Sequence, residues 1–142
     1  MLRALILGCA ALAVTATVAL AAPQKKPPTT GPGCKPRVSV ILKGTVATAP
    51  GGGATLPFGL SVTVKHANRF GHAYVTGTQP VSITVNDQTK IRFQGTKGLT
   101  ALRALVVNDR VKILARVCKA DLANGATPAL TAKRVVAHTP AA

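Results

Sequence analysis

Phe58-Gly59-Leu60-Ser61-Val62-Thr63-Val64-Lys65 is the stretch that decides the fold. Phe58, Leu60, Val62 and Val64 fall on one side of an extended chain, and Gly59, Ser61, Thr63 and Lys65 on the other, which is the period of a half-buried strand. The same alternation sets Val38, Val40, Leu42 and Val46 against Arg37, Ser39, Lys43 and Thr45, with Gly44 between. It returns in Val81, Ile83 and Val85 against Ser82, Thr84 and Asn86, and in Ile91 and Phe93 against Lys90, Arg92 and Gln94. A longer run sets Val111, Ile113, Ala115 and Val117 against Lys112, Leu114, Arg116 and Cys118, which places Cys118 outward. The last segment, Leu130 to His138, alternates poorly.

Turn residues punctuate these runs at Pro50-Gly51-Gly52-Gly53, Asn86-Asp87, Asn108-Asp109 and Asn124-Gly125. Only Leu99 to Val106, with leucines at 99, 102 and 105, has a helical stripe, and it is too short to stand without packing on a sheet. About six short strands with frequent turns predict an all-β domain, a small antiparallel barrel or sandwich. The barrel is the better expectation because closure removes unpaired edges.

Upstream of the strands the chain changes character. Arg3 precedes an apolar run from Ala4 to Leu20, with Ala19 and Ala21 at the positions where a signal peptidase needs small residues, so residues 1–21 are expected to be a signal peptide. An uncleaved anchor is the alternative, whereas Cys9 lies mid-run, the wrong place for a lipidated terminus. Residues 22–36, with prolines at 23, 27, 28, 32 and 36, read as an extended tether. Residues 37–138 form the single domain and 139–142 a tail. The expected location is secreted, whether extracellular, periplasmic or wall-associated.

Removal of the leader leaves a chain of 142 less 21, or 121, residues, in which 17 Lys and Arg face only Asp87, Asp109 and Asp121, a formal charge of +14. Two cysteines survive, Cys34 and Cys118. In an oxidising compartment such a pair is expected to bridge, closing a loop of roughly 85 residues for about 4 to 5 kcal/mol in the chain-entropy account. The competing reading, a reactive or metal-binding thiol, lacks visible partners.

The order of Lys43-Gly44-Thr45-Val46, then Val81 to Val85 with Thr89-Lys90-Ile91, then Leu102 to Val107 running into Asn108-Asp109-Arg110-Val111-Lys112-Ile113, and finally Leu130 to Val135 resembles a known family. It is similar to the exported bacterial domains of unknown function grouped as DUF5666, over residues 37 to 138. That family carries a glycine where this chain has Asn108. The resemblance implies a small barrel of the oligonucleotide/oligosaccharide-binding (OB) type behind a signal peptide, with no catalytic residue to carry over.

No catalytic constellation is expected. The three aspartates sit in turn contexts, and Ser39, Ser61 and Ser82 lie on polar strand faces without a nucleophile elbow. His66, Asn68 and His72 surround Arg69, which argues against a cation between them, so they are read as ordinary exposed residues and no metal or cofactor is expected. The glycines at 51 to 53 lack the lysine and helix of a phosphate cradle.

The excess of positive charge is the one feature with functional reach, since it draws polyanions irrespective of sequence. Wall polymers, acidic polysaccharide, extracellular DNA and a membrane surface are the candidate partners, and Arg92, Arg110, Lys112, Arg116, Lys119, Lys133 and Arg134 the candidate contacts. A plain solubilising surface is the alternative account. Specific nucleic-acid binding is not expected, because Phe58 and Phe93 belong to the core pattern and only Phe70 and Tyr74, near Arg69, remain to stack a base. The expected protein is therefore a non-catalytic structural or binding module, with polyanion binding as the alternative.

Overall fold

A computed structural model describes residues 34–140; the expected signal peptide and most of the tether lie outside the described residues. Seven strands and one short helix follow in the order β1 (Arg37–Val46), β2 (Phe58–Ala67), β3 (Val81–Val85), β4 (Lys90–Phe93), β5 (Thr96–Lys97), α1 (Gly98–Arg103), β6 (Arg110–Cys118) and β7 (Leu130–His138). Strand order in the sheet is β3-β2-β1-β6-β7-β4-β5, and a further pairing of β3 with β7 closes β1, β2, β3, β6 and β7 into a five-stranded barrel. This connectivity, with α1 between the third and fourth barrel strands, is that of an OB-type barrel.

Alternation builds the interior as expected. Leu60, Val62 and Val64 from β2, Val40 and Leu42 from β1, Ile83 and Val85 from β3, and Ile113 and Ala115 from β6 are all buried. Leu102 and Leu105 seal the barrel from the helix side. Burial of these aliphatic side chains contributes roughly 1.5 to 3 kcal/mol each and drives closure.

Three details differ from a simple antiparallel barrel. β7 pairs in parallel with both β3 and β4, the two parallel contacts in an otherwise antiparallel sheet. β3 and β4 are not the arms of a hairpin but one strand interrupted. Asn86 Oδ1 accepts from Gln88 N, Thr89 Oγ1 accepts from Asn86 N, and the Thr89 hydroxyl donates to the Ala132 carbonyl at 2.7 Å. An Asx turn thus loops the chain out and returns it to the same edge of β7.

The third detail explains the poor alternation of Leu130 to His138. Leu114 pairs with Arg134 and Ala115 with Ala132, so Lys133 is an extra residue, a β-bulge. β2 has its counterpart, because Lys43 pairs with His66 and Gly44 with Val64, leaving Lys65 as the extra residue. Each bulge puts two consecutive basic side chains on the outside, Lys65-His66 and Lys133-Arg134.

Cys34 and Cys118 are bridged, with their Cα atoms 5.7 Å apart. The expected outward placement of Cys118 is corrected, since Val117 and Cys118 are both buried. The chain turns at this point into a 3-10 segment (Lys119–Gly125), and Cys34 covers the end of the strand.

Candidate polyanion-binding face

Outward positions on neighbouring strands line up in rows. One row runs Thr63, Thr45, Arg110, His138, and the next His66, Lys43, Lys112, Val136, Arg92. A third carries Ile41, Leu114, Arg134 and Lys90, and a fourth Ser39 and Arg116. Cross-strand neighbours are about 5 Å apart and i, i+2 neighbours about 7 Å, so these cations form one dense patch.

No carboxylate of the described residues interrupts it. Asp109 and Asp121 are 0 % and 3 % exposed, and Asp87 sits in the β3–β4 turn. Asp109 fits its expected turn role, with Oδ2 accepting from Val106 N at 2.9 Å, beside Asn108 at φ 72°, the left-handed region. Asp121 does not. Neither of its oxygens has a hydrogen-bond partner among the described residues, so the turn account fails for it.

The remaining outer face of the barrel is neutral. Gly59, Ser61 and Thr63 of β2, Ser82 and Thr84 of β3, and Thr131 of β7 occupy its outward positions, with Ser61 against Ser82, Gly59 against Thr84, and Thr84 against Thr131. On both β2 and β7, charge begins at the bulge: residues 58–64 and 130–132 carry none, whereas Lys65 and Lys133 open the basic portion. The surface is thus divided into a hydroxyl sector and a cationic sector.

Of the residues expected to contact anions, Arg92, Arg110, Lys112, Arg116, Lys133 and Arg134 come together on the cationic sector. Lys119 stands apart. It lines a separate depression of about 740 Å³ with Arg69, Phe70, His72 and Leu122. Sequence reasoning missed Lys43, Lys65, His66, Lys90 and His138, which the register brings into the same patch from strands far apart along the chain.

The expected stacking pair is corrected. Tyr74 is buried, with its hydroxyl donating to the Pro128 carbonyl at 2.6 Å, so its ring offers no exposed platform. Burial first, and the Asp121 carboxylate second, push this phenol up to about 12. Phe70 is half-buried, with the Arg69 guanidinium 4.4 Å from its ring centre. Asn68 proves structural: its Oδ1 accepts from Ile41 N and Gly71 N, and its Nδ2 donates to the Ser39 carbonyl. His66 and His72, on either side of it, line different depressions.

Neither family models, nor curated proteins, nor solved structures show a match to this chain. Among the described residues no helix is long and apolar enough to cross a membrane.

Proposed function

We propose that this protein is a non-catalytic binding module that works outside the cytoplasm and holds anionic polymers on the cationic sector of its barrel. The observation that carries the reading is the segregation of charge. A solubilising surface spreads lysines and interleaves signs, whereas here one sector concentrates the cations with no carboxylate and the other is hydroxyl-lined. Such a field steers polyanions to one side of the molecule and weakens with salt. The Cys34–Cys118 bridge supports export, since small domains keep such bonds in oxidising compartments.

Salt-gradient elution from immobilised heparin tests it. The purified protein is expected to elute late, and a variant with Arg110→Gln, Lys112→Gln and Arg134→Gln distinctly earlier, the salt slope falling by roughly 0.7 to 0.9 for each anion-binding charge removed. Lys119→Gln should leave elution nearly unchanged. If early elution is seen for the unaltered protein, or if Lys119→Gln costs as much per charge as the sector variant, the proposal is overturned.

A further inference from the structure

The cationic sector is not flat. Two adjoining depressions, of about 440 and 300 Å³, meet at the cross-strand row of Lys43, His66 and Lys112, which lines both, and together follow β1 as an open groove. Its floor is β1 from Ile41 to Thr45, and includes Gly44, which adds no side chain. One wall is the β2 bulge, Lys65 and His66; the other is β6, Arg110 and Lys112, with His138 at one end. The β2 bulge makes that wall, because the extra residue turns two consecutive side chains outward where regular alternation would show one.

Resting on the reading of the sector as a polyanion surface, we infer that this groove binds a single extended polyol-phosphate chain, that is, phosphodiesters joined by short acyclic alcohols. Three observations select that chemistry. First, no phenylalanine or tyrosine lines the groove. Bases of single strands are gripped chiefly by stacking on large rings, and here only the small imidazoles of His66 and His138 and the Arg110 guanidinium offer a plane, so charge and spacing weigh most in selecting the ligand. Second, Arg110 and Lys112 follow each other at the i, i+2 step of a strand, about 7 Å. That interval is wider than the spacing of phosphates linked through one oxygen, and suits phosphates separated by a short carbon bridge. Third, the floor from Ile41 to Thr45 spans about 14 Å, room for two or three such repeats in line. The groove also lies off the β2–β3 face that OB-type barrels commonly use, a face that here carries only hydroxyls and glycine.

Fluorescence competition at fixed salt decides the matter, with poly(glycerol phosphate), inorganic polyphosphate, heparin and single-stranded DNA compared at equal total charge. Poly(glycerol phosphate) is expected to bind tightest, and Lys43→Gln with Lys112→Gln to weaken it at least about tenfold. The matched pair Lys90→Gln with Arg92→Gln, on the same sector but outside the groove, removes the same number of charges and should cost several-fold less than the groove pair. All four are exposed strand positions, so both variants retain the barrel. If heparin, DNA or inorganic polyphosphate binds as well, or both variants weaken binding alike, the groove assignment falls while the polyanion reading stands. If none of the four polymers binds, both fall together.

Discussion

Gly44 has no room for a side chain, because a Cβ there would drive into the carbonyl of Thr63 on the neighbouring strand. The close approach belongs to the β1–β2 irregularity that also expels Lys65, so Gly44→Ala is expected to cost at least about 3 kcal/mol and to open the bulge. Chemical denaturation of that variant checks the value. Tyr74 offers a second residue-scale test, since it is the only tyrosine of the chain. Its phenolate absorbance should rise near pH 12 and not at the ordinary 10. A phenol whose pKa is raised by folding favours the native state fully below pH 10, and that contribution is lost as pH climbs towards 12. Tyr74→Phe should therefore remove the part of alkaline destabilisation that lies in this window. An absorbance midpoint at 10 in the folded protein would contradict the burial and the nearby carboxylate as causes.

Asn68 is a clamp at the scale of elements. It joins the end of β2 to the outer edge of β1 and closes the turn at Gly71 through one side chain. Asn68→Ala leaves the Ile41 amide and the Ser39 carbonyl to find water, while Gly71 N keeps its bond to the backbone carbonyl of residue 68; the change is expected to cost about 2 kcal/mol, read from a shift in the urea midpoint at unchanged slope. A shift within experimental scatter would mean that solvent replaces both bonds. Most elements were legible in the sequence because alternation is a local property of each strand; Val81 to Val85 and Ile91 to Phe93 declare themselves in this way. What stayed hidden is relational. Lys133 spoils its strand's period and so disguised an ordinary strand with a bulge as a weak one. The Asn86–Thr89 turn looks like a hairpin until Thr89 is seen bonded to Ala132, a contact between segments 43 residues apart.

Across the whole molecule the bridge is expected to matter as much as any cluster in the core. Its cysteines are 84 residues apart in sequence, and reduction should lower unfolding free energy by about 4 to 5 kcal/mol. Denaturant curves with and without reductant measure this, and coincident curves would show that the crosslink constrains nothing. The candidate site was half legible at this scale. Arg110, Lys112 and Arg116 stand together on one strand and could be read directly, whereas Lys43 and His66 join them only through pairing of strands whose order no local pattern reveals. Charge count was visible from composition; its confinement to one side required the register.

The covalent link also sets how the molecule responds to force. A pull applied between residues 34 and 140 passes from Cys34 straight to Cys118 and on through the last strand, bypassing the chain between them. Under tension β7 would peel from β6 first, taking His138 from one end of the groove, while β1 and β2 lie within the bypassed part of the chain. A ligand held there would stay gripped on a partly unravelled molecule.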